Sequence, residues 1–185
     1  PAGRLNMTWY NSDDDLPDID DYDIIRGKRT YRYFDKEVLY PFGHGLTYTK
    51  FLYSNLSAYM SDPAHIEVAF DVKNTGKQTS DEVIQIYASA LKSRVPKPRR
   101  QLLAFERLHD IAPDEVRHVI KRISTNELRF YDCISGSFLV EEGNYMIFVG
   151  PSSKETPLYD TIFLAGEKTK TRVLTKRIRA DHFDE

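Results

Sequence analysis

Ile66-Glu67-Val68-Ala69-Phe70-Asp71-Val72-Lys73, followed at once by Asn74-Thr75-Gly76-Lys77, decides the fold class of this chain. Ile, Val, Phe and Val occupy alternate positions, with polar or small residues between them. A strand points successive side chains to opposite faces, so this is a strand with one face against a core. Asn and Gly tolerate positive φ, which lets the next four residues reverse the chain. Further along, Glu82 to Ser89 carries Ile84 and Ile86 on one face and Val83 and Tyr87 on the other. Apolar residues on both faces predict a central strand covered on both sides. Glu142-Gly143-Asn144 turns into Tyr145, Ile147 and Val149, another inward-facing set, and Tyr145 stands where a sandwich corner places a tyrosine hydrogen bond. Asp160 to Ala165 reads as a closing strand. Short strands, turn signals between them and no long helical repeat predict an all-β, two-sheet sandwich.

Two segments resist. Val116, Val119, Ile120 and Ile123 fall at helical spacing, and so loosely do Leu102, Leu103 and Phe105; the periodicity alone predicts a helix over Asp114 to Ile123. Residues 1 to about 50 show little periodicity of either kind. Seven aspartates lie between Asp13 and Asp23, the composition of a solvated, poorly ordered connector. Their spacing lacks the glycine and terminal glutamate of a helix-loop-helix calcium loop.

The totals bound the rest. The chain has 185 residues, enough for one domain with extensions. A formal net charge of −2 argues against generic polyanion binding. The single cysteine, Cys133, excludes an internal disulfide and a cysteine-based zinc site. No apolar run approaches the ~18 residues that span a bilayer. A start on Pro1 is what a piece of a longer protein would show, so no compartment is read from the missing leader.

Leu39-Tyr40-Pro41-Phe42-Gly43-His44-Gly45-Leu46-Thr47-Tyr48-Thr49-Lys50-Phe51 is the other informative run. Proline fixes φ and glycines admit positive φ, so the backbone must turn tightly among packed rings. This run resembles the junction leading into the C-terminal fibronectin type III-like domain of glycoside hydrolase family 3, the β-glucosidases and β-xylosidases. Gly3-Arg4-Leu5-Asn6-Met7-Thr8-Trp9-Tyr10, Arg29-Thr30-Tyr31-Arg32-Tyr33-Phe34, Phe70-Asp71-Val72-Lys73-Asn74-Thr75-Gly76, Asp81-Glu82-Val83, Phe105-Glu106-Arg107 and Gly143-Asn144-Tyr145 resemble the same family in the same order.

The resemblance implies an immunoglobulin or fibronectin type III-like β-sandwich with an extended, largely irregular N-terminal linker. Residues 1–50 would leave the α/β sandwich domain of a parent enzyme, residues 51–166 would form the sandwich, and residues 167–185 would be a tail. Arg177 to Glu185 resembles the opening strand of a family 6 carbohydrate-binding module. The resemblance also implies a strand, not a helix, before a short turn at Asn126-Glu127-Leu128. The parent reaction would be retaining, exo-acting hydrolysis of β-linked glucosides or xylosides, without a cofactor. Thr8-Trp9-Tyr10 with Arg29 to Phe34 leans toward the xylosidases.

Such chemistry needs two carboxyl groups about 5–5.5 Å apart. In the resembled family they lie in an N-terminal barrel and the α/β domain, outside this chain, so no catalytic residue is carried over. Glu141 with Glu142, Glu106 and Asp132 are the carboxylates available here, and surface solvation is the expected role of the glutamate pair. Histidines 44, 65, 109, 118 and 182 lack paired ligand spacing, so no metal is expected. The loop Ser93-Arg94-Val95-Pro96-Lys97-Pro98-Arg99-Arg100 has charge but no interleaved aromatic for stacking on nucleic acid. Arg29, Tyr31, Arg32 and Tyr33, with Phe42 and His44 of the junction, are the candidate domain-docking or substrate-proximal residues. Their partners would be the catalytic barrel and α/β domain of the same protein, a second copy, or a β-linked gluco- or xylo-oligosaccharide. The alternative is a self-standing sandwich that binds polysaccharide or a protein partner, which calls for an exposed aromatic row on one sheet. Tyr87 and Phe148 are the pair that falls on a second face.

Overall fold

The computed structural model describes residues 1–166, so the tail over 167–185 and its module-like ending lie outside the described residues. Seven long strands form the body: β3 (Phe51–Asp62), β4 (His65–Asn74), β5 (Ser80–Ala90), β6 (Gln101–Ile111), β7 (Val116–Ser124), β10 (Gly143–Gly150) and β11 (Leu158–Leu164). They make a four-stranded sheet in the order β11-β10-β5-β6 and a three-stranded sheet in the order β3-β4-β7, every pair antiparallel. Two short ribbons flank them, β1 (Trp9–Tyr10) with β2 (Val38–Tyr40) and β8 (Phe130–Asp132) with β9 (Ser137–Leu139). A single helical turn, α1, covers Thr30–Tyr33. The all-β sandwich expected from the sequence is the fold observed.

Burial along β4 alternates strictly, with Ile66, Val68, Phe70, Val72 and Asn74 inside. They meet Ile84, Ile86 and Ala88 of β5, Ile147 and Val149 of β10 and Leu164 of β11 to fill the space between the sheets. Asn74 closes one end of that core. Its side-chain amide donates to the carbonyls of Gln78 at 2.8 Å and Ile111 at 2.9 Å, and its oxygen accepts from Thr49 Oγ1 at 2.6 Å. The other end is closed by the Tyr145 hydroxyl, which donates to the Glu141 carbonyl at 3.0 Å, the corner bond expected there.

Val116 to Ser124 is strand β7, so the helical periodicity misleads. Val119 and Ile123 face the core, with Arg117 and Lys121 on the same side, while Val116 and Ile120 face outward and are exposed. Two apolar residues four apart on each face imitate a helical stripe. Cross-strand pairing with β4 decides the matter, because β4 needs a second neighbour for its backbone groups. The inner Lys121 is paired with Glu106 of β6 at 2.7 Å, which closes the open side of the sandwich with charge. A 3-10 turn at Thr125–Leu128, capped by Ser124, follows as the resemblance implies.

Candidate functional site

Strand β5 is buried on both faces from Ile84 to Ala88, except that its outer face is roofed by the N-terminal segment instead of a second sheet. The roof begins with a short two-way exchange, Leu5 N–H to the His44 carbonyl and Gly43 N–H to the Leu5 carbonyl, each 2.8 Å. The β1–β2 ribbon extends it, with Trp9 paired to Tyr40. Gly43, at φ +82°, lies directly over Gln85. The Gln85 amide donates to the Gly43 carbonyl at 3.1 Å and to the Pro151 carbonyl, and its oxygen accepts the Tyr87 hydroxyl. A β-carbon at position 43 would overlap that amide, so only glycine fits there.

Aromatic packing completes the seam. The Tyr31 ring stacks on Phe42 with centroids 4.1 Å apart and meets Tyr87 edge-on at 6.1 Å. The Tyr31 hydroxyl accepts from the Leu102 amide at 3.3 Å, and the Arg32 carbonyl accepts from the Arg99 amide at 2.7 Å. Burial drives the Tyr87 hydroxyl far above its ordinary pKa, which keeps it a neutral donor. Next to Tyr87 in the sheet, Phe148 is buried under the Arg100 guanidinium, 3.4 Å from the ring centre.

Of the candidate residues, the structure brings Tyr31 and Phe42 together over Tyr87, with Arg32 joining through its backbone. His44 sits apart from them against Tyr40, ring centroids 5.0 Å apart. Arg29 turns the other way, donating to the carbonyls of Asp18 at 2.9 Å and Asp21 at 2.7 Å. Tyr33 is half-buried. The aspartate-rich run is solvated, as its composition suggests, but it is no free connector. Asp18, Asp21 and Asp23 accept from backbone amides two or three residues on, and Lys36 binds Asp15 at 2.9 Å.

Two further anchors escaped the sequence reading. Arg4 reaches the core face of β5 and pairs with Glu82 at 2.9 Å, and the other Glu82 oxygen accepts the Tyr53 hydroxyl at 2.7 Å. Burial raises the Glu82 carboxyl above its ordinary value, and Arg4 pulls it back. A carboxylate and an amide embedded in the apolar strand Glu82-Val83-Ile84-Gln85 are the available signal, because a buried polar group needs a partner. The second is Asp132, which binds Arg94 at 3.2 Å and accepts the Ser135 amide at 3.0 Å. Its hydrogen bonds with Ser135, with Arg94 assisting, hold its pKa down at about 2.

These contacts give Asp132 a structural task, and Glu106 and Glu141 have theirs. Glu106 binds Lys121, and Glu141 accepts from Ser93 Oγ at 2.5 Å and from the Arg94 amide at 3.0 Å. Glu141 thus fixes the root of the basic loop, which is a correction to its expected solvation; Glu142 is exposed as expected. The loop cations do find aromatics, though not from within the loop: Lys97 lies 3.3 Å from the centre of the Phe130 ring. Among the described residues no group of three or more His, Cys, Asp or Glu side chains could hold a metal, and no helix is long and apolar enough to cross a membrane.

The fibronectin type III-like domain family matches residues 82–153. Thermostable beta-glucosidase B of Acetivibrio thermocellus is 36% identical over 138 residues, which is 71% of this chain and 18% of that protein. Xylan 1,4-beta-xylosidase of Xylanibacter ruminicola is 36% identical over 159 residues, 85% of this chain and 18% of that protein. The chain belongs to the C-terminal portion of glycoside hydrolase family 3. The family 3 β-glucosidase of Bifidobacterium adolescentis superposes with a TM-score of 0.82 at 25% identity, covering 90% of this chain and 26% of that one. β-Glucosidase 3B of Thermotoga neapolitana, solved with glycerol, gives 0.80 at 30% identity, covering 90% and 25%. This chain therefore spans between 18% and 26% of the length of these family 3 relatives.

Proposed function

We propose that this chain is a non-catalytic accessory portion of a retaining, exo-acting β-glycosidase. In this reading it docks onto the catalytic domains and stabilises them. The observation that carries the proposal is the seam over β5. There Tyr31, Phe42, Gln85 and Tyr87 fasten the segment that leads toward the rest of the protein, while Glu106, Asp132 and Glu141 are engaged in ion pairs and turns. The parent's substrates would be terminal β-linked glucosides or xylosides, with a lean to xylosides from Thr8-Trp9-Tyr10 together with Arg29 to Phe34. Its partners would be the barrel and α/β domains of the same polypeptide.

A polysaccharide-binding sandwich is the weaker reading, since Tyr87 and Phe148 are roofed within the chain and offer no face to a glycan. The test is hydrolysis of aryl β-xyloside and aryl β-glucoside by the purified 185-residue chain. Cooperative unfolding with no turnover is expected. Turnover by a contamination-free sample would refute the accessory assignment.

A further inference from the structure

Beside the Tyr31–Phe42 stack lies a pocket of about 240 Å³. Its walls come from the N-terminal segment, the end of the basic loop and the turn after β10. Charge on the walls is unbalanced: Lys36, Arg99, Arg100 and Lys154 face only Asp35 and Glu37. Both carboxylates are already engaged, Glu37 with Lys154 and Asp35 with Lys28 at 2.5 Å. Lys36 turns away to Asp15.

That leaves two adjacent guanidinium groups. Among the described residues the Arg99 guanidinium has one carboxylate contact, 4.0 Å from Asp35. Arg100 has no carboxylate within ion-pair distance among the described residues; it rests on Phe148, and its Nη1 donates to the Arg99 carbonyl at 3.0 Å. Among the described residues its buried Nε and the buried hydroxyl of Thr8, another residue of the lining, lack hydrogen-bond partners. Burial, and then the charge of Arg99, hold the Arg100 guanidinium below the ordinary arginine pKa. A half-buried cation without a counter-ion is a cost that a carboxylate removes, and a guanidinium offers it a planar fork of donors.

We propose that this pocket receives the carboxylate of an acidic side chain from the catalytic portion of the same polypeptide, with Arg100 and Arg99 as its receptors. The proposal rests on the accessory reading above. One carboxylate held by charge-assisted hydrogen bonds from two arginines, at about 2 kcal/mol each, binds with a Kd of about 1 mM. A group on the same chain is presented at an effective concentration of about that order, so a tethered side chain fills a site that a dilute free acid would leave empty. The pocket has room for one side chain, and Tyr31 and Phe34 supply the aromatic part of its wall.

Two measurements test it. The first compares unfolding midpoints of Arg99→Gln and Arg100→Gln in the 185-residue chain and in the full-length enzyme. In the enzyme each variant lowers the midpoint, whereas exposed Arg99→Gln shifts the separate chain by no more than about 2 °C. Equal shifts of Arg99→Gln in both settings overturn the proposal, and this variant keeps the test valid if Arg100→Gln disturbs the Phe148 contact. The second follows the arginine Nε–H resonances of the 185-residue chain during titration with N-acetylglutamate α-methylamide, and then with the glutamine counterpart. A saturable shift of the Arg100 signal with a midpoint of about 1 mM, absent with the amide, supports the assignment. No shift, or the same shift with both compounds, overturns it. The accessory reading fails separately, if deleting residues 51–166 leaves the enzyme's stability unchanged.

Discussion

The side-chain amide of Gln85 donates to the carbonyl of Gly43 at 3.1 Å, across 42 positions of sequence. The bond joins the outer face of the central strand to the tightest turn of the N-terminal segment. Three residues earlier on the same strand, Glu82 holds Arg4 from the core side. One strand thus grips the segment from both of its faces, so residues 1–50 and the sandwich are expected to unfold together.

Gly43→Ala tests the grip directly. Alanine at φ +82° is strained, and its β-carbon displaces the Gln85 amide from the Gly43 and Pro151 carbonyls. A loss of about 2–4 kcal/mol is expected from strain and an unpaired buried amide. Chemical denaturation measures it; a change below about 0.5 kcal/mol would show that the turn relaxes freely.

Arg4→Met strands the Glu82 carboxylate without a cation, leaving it the Tyr53 hydroxyl and the Val83 backbone as hydrogen-bond partners. Breaking one side of a buried pair costs about 3–5 kcal/mol. Burial already raises the Glu82 carboxyl, and without Arg4 it rises further. The deficit relative to the unmodified chain is therefore largest above that pKa and shrinks as pH falls through it, because protonation removes the stranded charge. Stability curves for both chains between neutral and mildly acidic pH should converge; parallel curves would count against the buried pair.

Asp132 has the opposite sign. Its native pKa of about 2 lies below the ordinary 3.8, so the unfolded state takes up the proton first. Its contribution is complete above the ordinary value and vanishes as pH falls toward 2. The difference in unfolding midpoint between the unmodified chain and Asp132→Asn should narrow across that window. A constant difference would mean that the carboxylate charge contributes nothing.

Tyr145→Phe deletes the corner bond to the Glu141 carbonyl and little else. About 1 kcal/mol of destabilisation is expected, read from urea denaturation with an unchanged slope. A changed slope would indicate that the corner organises more of the chain than its one bond.

Tyr31→Ala removes a ring stacked on Phe42 and edge-on to Tyr87. A drop of about 2 kcal/mol in stability is expected for a half-buried aromatic. In the full-length enzyme KM should stay unchanged. A raised KM with an unchanged unfolding midpoint would instead make Tyr31 substrate-proximal.

Much of the fold was legible because its signals are local. The alternation from Ile66 to Val72, the turn at Asn74-Thr75-Gly76 and the tyrosine after Gly143 each state their structure within a few residues. Two-sided burial of β5 was legible too, from Ile84 and Ile86 set against Tyr87. The segment from Val116 to Ile123 was not, since the same spacing satisfies a helical stripe and a strand with two apolar residues on each face. For the candidate site, the sequence marked Tyr31 and Phe42 as domain-docking or substrate-proximal residues and did not show that they stack over Tyr87 of the same chain. It gave no hint that Arg29 would turn to the Asp18 and Asp21 carbonyls.

By itself the sequence determined strands β4, β5, β10 and β11, the inward face of β4 and the junction motif that places this chain in family 3, because periodicity and turn chemistry act between near neighbours. Only the tertiary structure decided that Arg4 meets Glu82, 78 positions away, that Gly43 closes on Gln85, and that Arg99 and Arg100 share a pocket short of negative charge. Those pairings arise from how two sheets and a returning segment stack, and a buried polar side chain shows that it needs a partner without showing which one the fold will bring.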